Sequence, residues 1–444
     1  MPPREPNDPP AAFEPPRPAA GRAIARTIFY IVRDPLPPTR ADLATLFGAE
    51  LPRHGIGAEL VGQGGGARRG NASGAWNGGA IHVIGSLGGR GASLLSPCWD
   101  ALGLLRAWRG GGRARPDCVQ VRDKVASGLV GRIAAALFGV PFTYWMSFPI
   151  VEGYAVRRDD VRRHGAPLAW LAHALRAAAA RLVLYRLVLP GARHVFVQSA
   201  AMADWLASRG VPRARMTAVP MGVDPGQLAR AAIAPSRDAR LDGRRVLLYL
   251  GRVARARRSD FLLDVAETLR PDVPDLLLVL AGDAPSPDEM AWMRAEIARR
   301  GLEHHVLLTG WLPQRAALGY ALRAEVGLSP IPRGTLFDVS SPTKLVEYLA
   351  LGIPSVANDI PDQQQVLAES RAGLCVPMQA GAFAAAARRL LDDPVLAAEC
   401  SQRGPAYVNS HRTYAILGRI VAETYTRILP SRMPDADSRC GRIP

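Results

Sequence analysis

Residues 340–359, SSPTKLVEYLALGIPSVAND, decide how the chain folds. Ser340 or Ser341 can cap a helix, Pro342 suits its first turn, and Gly352 suits the position just past its end. Leu345, Val346 and Leu349 form the packed face, and residues 355–357 read as a buried strand. With EVGLSPI ahead of it, the unit runs strand, loop, helix, strand, the repeat of a parallel sheet wrapped by helices. The helix then begins at the carboxyl edge of the sheet, where free N–H groups and the helix dipole favour a phosphate. Lys344 and Glu347 lie three apart on another side of that helix. Spacing alone reads them as a surface ion pair worth about 0.2–0.5 kcal/mol.

Working outward, the same alternation recurs. Short β-branched runs at 28–32, 81–85, 118–121, 141–146, 195–198 and 216–219 are each followed by helical spacing, and a second set stands at 245–250, 276–281, 306–309, 326–329, 355–357 and 373–376. Between the sets, 229–244 is charged, holds a proline and has no strand pattern, as a linker should. The expected architecture is α/β, with two Rossmann-like doubly wound domains, 22–228 and 245–404, facing a central cleft. A proline-rich arm, 1–21, is expected to be disordered, and 430–444 to be a tail. The glycine-rich segment 62–79 reads as a surface loop. The longest helical candidate, 167–190, carries Arg176, Arg181 and Arg186, too many charges for a membrane span.

The formal charge is +16, and Lys124 and Lys344 are the only lysines. The arginines are scattered, and no zinc spacing, RNA-binding signature or recognition helix accompanies them, so nucleic acid is not an expected partner. An anionic membrane surface stays compatible with that charge. Five cysteines lie far apart without a paired spacing, which suits a reducing compartment, and the cytoplasm is the expected location. His304 and His305 lack neighbouring ligands at metal spacing, and Asp435 with Asp437 stands in a proline-flanked tail, so no metal is expected. The turn at 85–91, GSLGGRG, lacks a downstream ribose acid, which argues against a dehydrogenase.

The stretch 246–269, VLLYLGRVARARRSDFLLDVAETL, is a second candidate site. Gly251 lets the backbone turn sharply off a buried strand, and Arg252 then projects from the strand's carboxyl end with Arg255, Arg257 and Arg258 behind it. A fixed guanidinium there lowers the barrier to losing a diphosphate, because negative charge grows on that group as its bond breaks.

Taken in order, VFVQSAAMADWLASRGVPRARMTAVPMGVD (195–224), GRVARARR, GDAP (282–285), LTGWLP (308–313) and SPTKLVEYLALGIP resemble retaining glycosyltransferase family 4, a GT-B group that uses nucleotide sugars. The likeness runs over about 25–429. It implies that Arg252 binds the donor diphosphate, that Arg257 stands where the family has a lysine, and that Glu347, the second acid of a paired motif, accepts hydrogen bonds from ribose hydroxyls. Ser341, Thr343 and Lys344 would meet phosphate, and Trp311 and Leu312 would line the base. A closing helix, 405–429, would cross back to the first domain. The first acid of the pair falls at Val339, leaving Asp338 beside it as the candidate. The first-domain histidine is absent near Ser147, so its role would pass to Ser147, to Glu152 or to backbone groups. These matches imply a metal-independent, retaining transfer from a nucleotide diphosphate sugar to a glycan or lipid-linked acceptor, in surface polysaccharide assembly. No cofactor is expected beyond the donor. The departures keep two alternatives open: a nucleotide-sugar epimerase of the same fold, and an inactive scaffold that binds nucleotide sugar.

Overall fold

The computed structural model describes residues 23–65, 72–87, 92–110, 115–163 and 167–430. The proline-rich arm, the Gly-rich turn beyond residue 87 and the acid pair at 435–437 lie outside these. Two mostly parallel sheets form the frame. The first holds β1 (Arg26–Ile31), β2 (Ile56–Gly64), β3 (Ala72–Trp76), β4 (Gly79–Ser86), β5 (Cys118–Arg122), β6 (Phe142–Met146), β7 (His194–Val197) and β8 (Met216–Ala218). Their order is β3-β4-β2-β1-β5-β6-β7-β8, parallel except for the β3–β4 hairpin at one edge. β1 is buried on both faces between β2 and β5, which is why its sequence, RTIFYI, is nearly all apolar.

The second sheet contains β9 (Arg245–Leu250), β10 (Leu276–Ala281), β11 (Val306–Gly310), β12 (Val326–Ser329), β13 (Ser355–Asn358) and β14 (Gly373–Val376), in the order β11-β10-β9-β12-β13-β14. Strand order reverses between β9 and β12 in this sheet and between β1 and β5 in the first. Such reversals open crevices at the carboxyl ends of the strands, and residues just past those ends from both sheets line one cleft. Each sheet is packed on both faces by apolar clusters.

Three sequence expectations need correcting. Segment 62–79 is not simply a loop: β2 runs to Gly64, and Ala72–Trp76 pairs with β4. β2 itself, IGAELVGQG, escaped the strand pattern because of its glycines. Gly57 is required there, since a Cβ would stand 2.0 Å from the Gly78 carbonyl oxygen. The closing segment is two helices, Pro394–His411 and Tyr414–Ile428, broken at Arg412 and recapped by the Thr413 hydroxyl, which accepts from Ile416 N at 3.3 Å. The second helix lies on the first lobe, where Tyr425 donates to Gln120 Oε1 at 2.6 Å.

A buried seam joins the lobes below the cleft. Ser199 Oγ donates to the Val339 carbonyl at 2.6 Å, and Met221 N donates to Ser341 Oγ at 3.0 Å. Ser341 in turn donates to Asp362 at 2.8 Å, and the buried Arg412 guanidinium pairs with the same carboxylate at 2.8 Å.

Candidate active site

The interlobe cleft has a volume of about 860 Å³. Its second-lobe wall begins at the end of β9. Gly251 holds φ +148° and Gly282 φ +154°, and a Cβ on Gly282 would fall 2.2 Å from the Gly251 carbonyl oxygen. The two glycines let the backbones after β9 and β10 touch, and that contact turns Arg252 into the cleft. Arg257 follows on a short 3-10 turn, Arg255–Arg257, and both guanidiniums line the cleft without a carboxylate partner among the described residues. Arg255 and Arg258 are used otherwise: Arg255 stacks 4.6 Å over Trp292 beside Glu289, and Arg258 stands near Asp260.

The helix Thr343–Ala350 forms the next part of the wall. Neither expected serine caps it. Ser340 Oγ donates to the Phe337 carbonyl, Ser341 is held in the seam, and Pro342 occupies the cap position without a side-chain bond. The first N–H groups of the helix are therefore left to the cleft, where Thr343 also lies. The Lys344 ammonium is buried, makes no hydrogen bond among the described residues, and sits 3.8 Å from the centre of the Tyr249 ring. Burial pulls its pKa below the ordinary lysine value, against the pull of Tyr249 and Glu347. Glu347, one turn on, lines the cleft half-buried, and burial raises its carboxyl above the usual range although Lys344 opposes this. Four groups that sequence separates by nearly a hundred positions thus converge. A cationic patch with an open helix start is an anion site by construction.

The first lobe contributes Arg33, Asp34 and Arg40 after β1, Asp123 after β5, and Ser147 with Phe148 after β6. Beneath them Arg122, fully buried, bonds Asp42 at 2.6 Å and lies 3.4 Å from Asp34 and 3.7 Å from Asp123. Burial favours the neutral form of Asp42, but Arg122 and Arg40 hold its carboxyl well below the usual range. Asp123 adopts φ +50°, in the left-handed region, and accepts from Ser147 N at 2.9 Å and from the Ser147 hydroxyl. Burial raises its pKa despite Arg122. A strained, buried carboxylate at a cleft is a functional signal. The sequence held it as the Asp after an apolar strand, in CVQVRDK, unread.

Other expected residues stand elsewhere. The Ser147 hydroxyl reaches the cleft wall but is already bonded to Asp123. Glu152 is not among the cleft-lining residues; it accepts from Tyr185 at 3.1 and 3.2 Å, with Arg209 3.8 Å away. Asp338 pairs with Arg333 at 2.8 Å, and the Val339 side chain is buried between the lobes. Trp311 is 52% exposed beyond the edge strand β11, and Leu312 packs on the second-lobe core; neither is among the cleft-lining residues. Ser341 lines the cleft, with its hydroxyl committed to the seam.

This architecture, two Rossmann-like lobes about a central cleft, is that of the GT-B glycosyltransferases. Residues 44–222 match a glycosyl transferase 4-like domain, and residues 244–393 match glycosyl transferases group 1. The chain belongs to the family-4 type of GT-B glycosyltransferase. It is 26% identical over 189 residues to an α-D-kanosaminyltransferase of Streptomyces kanamyceticus, covering 42% of this chain and 47% of that protein. The match therefore spans about half the length of that relative. It is 25% identical over 302 residues to a GDP-mannose-dependent α-(1-6)-phosphatidylinositol monomannoside mannosyltransferase of Mycolicibacterium smegmatis, covering 66% of this chain and 76% of that protein. The crystal structure of Anabaena HepE in complex with UDP superposes with a TM-score of 0.61 at 15% identity, over 90% of this chain and all (100%) of that one.

Proposed function

We propose that the protein transfers a sugar, with retention and without a metal, from a nucleotide diphosphate sugar to a glycan or lipid-linked acceptor in surface polysaccharide assembly. The observation that carries this reading is the convergence of Lys344, Arg252 and Arg257 on the open start of the helix Thr343–Ala350, with Glu347 one turn further. Three cations and the helix dipole match a diphosphate. Their charge is most useful when the anomeric C–O bond breaks and the second phosphate takes up the electron pair. Glu347 accepts hydrogen bonds from a ribose diol. Retention requires the acceptor hydroxyl to attack from the face the diphosphate leaves, so its proton passes to the departing phosphate oxygen while the new glycosidic bond forms. The first-lobe groups Asp123, Arg33 and Arg40 stand where an acceptor would be oriented. The UDP complex of a GT-B neighbour, and a relative named as GDP-mannose-dependent, support the donor class but leave the base open.

The test is turnover of a panel of labelled nucleotide sugars with and without a membrane extract. Acceptor-dependent nucleotide release is expected, falling at least about a hundredfold in Arg252→Ala with the fold intact. Undiminished release in that variant, isomerisation of the donor without an acceptor, or binding alone would refute the assignment.

A further inference from the structure

The helices covering one face of the first sheet are apolar on the wrong side for a free surface. Ala126–Phe138 exposes Leu137 to 83%, and Pro167–Leu182 exposes Leu168 to 84%, Leu175 to 63% and Leu182 to 61%, with Leu171 between them. Positions 168, 171, 175 and 182 are three, four and seven apart and so share one stripe. The opposite side of this helix, at Ala177 and Ala180, is the one packed on the domain. The leucines therefore point outward and cover nothing among the described residues.

Charge decides what covers them. From 161 to 203 the sequence holds no aspartate or glutamate, while Arg181 and Arg186 stand exposed along the same helical run and Arg176, also exposed, stacks 4.8 Å over the Tyr154 ring. Ala126–Phe138 also lacks an acid and carries the exposed Arg132. At the end of this layer Arg132, Arg193 and Arg215 line a cavity of about 540 Å³, none of them paired with a carboxylate among the described residues. A second copy of the chain would bring arginine against arginine. An anionic lipid surface instead takes the leucines into its acyl boundary and the guanidiniums among its phosphates. No described helix is long and apolar enough to cross a membrane, so the contact is one of lying on the surface.

We propose that this helical face of the first lobe, led by the leucine stripe of Pro167–Leu182, docks the protein on an anionic phospholipid membrane. The element is well placed for it. Pro167–Leu182 is the returning arm of a hairpin whose first helix, Ile150–Arg163, packs against the short helix Thr335–Asp338, and Leu336 and Phe337 of that helix line the cleft. Docking by the hairpin brings the cleft rim to the bilayer. Combined with the glycosyltransferase reading, on which this consequence alone rests, it assigns a lipid-borne acceptor.

The experiment sediments the purified full chain with vesicles of phosphatidylcholine alone or mixed equally with phosphatidylglycerol, at low and high salt. The triple variant Leu168→Gln, Leu171→Gln, Leu175→Gln is run beside it, with UDP-induced thermal shift as a control for the cleft. Binding to anionic vesicles that weakens with salt, and falls roughly tenfold or more in the variant, is expected. Equal binding to neutral vesicles, an unchanged variant, or a wild-type dimer that the variant abolishes would overturn the proposal. Because the UDP shift is read separately, loss of that signal in both proteins would count against the donor site and not against docking.

Discussion

Replacing Lys344 by methionine separates the folding role of the cleft from its ligand role. The wild-type ammonium is buried, lacks a hydrogen bond among the described residues, and has the Tyr249 ring at 3.8 Å as its main compensation. A desolvated cation–π contact returns about 2 kcal/mol, whereas taking an ammonium out of water costs several kcal/mol. The lowered pKa of Lys344 shows which of these prevails. Lys344→Met keeps the volume and removes the charge, so the unliganded protein should gain roughly 1–2 kcal/mol, a rise in Tm of about 2–4 °C for each kcal/mol in a domain of this size. Because the folded state disfavours the charged lysine, the cost is complete below its depressed folded pKa. It disappears as pH climbs to the ordinary value of 10.5, so the gap between variant and wild type should close over that window. Ligand binding should move the opposite way. A charge-assisted bond to phosphate contributes about 1.5–3 kcal/mol, so UDP affinity should drop about ten- to 150-fold. Differential scanning fluorimetry with and without UDP measures both effects. A variant that melts below wild type at neutral pH, or that keeps the full UDP shift, would show that the ammonium is not a desolvated, ligand-directed charge.

Glu347→Gln should also raise Tm at neutral pH, since burial lifts the carboxyl pKa; the gap should vanish as pH falls toward 4.5, and UDP affinity should drop by about tenfold or more. At the seam, Asp362→Asn strands the buried Arg412 guanidinium and should lower unfolding free energy by about 3–5 kcal/mol in urea, with Arg412→Met added to it restoring part of the loss. Equal costs that simply add would mean the two side chains do not act as a pair. Gly282→Ala should be among the most damaging single-atom changes, because its Cβ meets the Gly251 carbonyl at 2.2 Å; wild-type stability in that variant would contradict the close approach after β9 and β10.

The second sheet was legible almost strand for strand because its inner strands are buried on both faces and so read as unbroken apolar runs: LLLVLA needs no periodicity to be recognised. The first sheet was harder at one edge. β2 mixes glycines and Glu59 into its run, and those glycines answer to a neighbouring backbone, a long-range contact that a local pattern does not carry. The break at Arg412 was hidden for the same reason. The sequence 407–429 has helical spacing throughout, and the interruption exists because Arg412 must reach Asp362, fifty positions earlier.

The site shows a sharper division. Arg252, Arg257, Lys344 and Glu347 could be placed because each follows a strand end or a helix start, and in a doubly wound sheet those positions have a known direction. Residues whose side chains are engaged elsewhere were each tied by the resemblance to one expected contact, which carries no knowledge of what else they touch. Ser341 is claimed by Met221 and Asp362, Glu152 by Tyr185, and Asp338 by Arg333. Conversely, the serine in place of the expected histidine concealed the more informative residue. Ser147 matters through Asp123, which holds both its N–H and its hydroxyl from a left-handed backbone conformation. If the first lobe orients an acceptor through this pair, the charge there is a buried carboxylate backed by Arg122, where an imidazole was expected. Such a group accepts a hydroxyl proton in a hydrogen bond, and the Arg122 guanidinium opposes the rise in pKa that burial imposes on it. The chemistry expected at that wall therefore passes to a different kind of side chain, one that only the folded contacts could reveal.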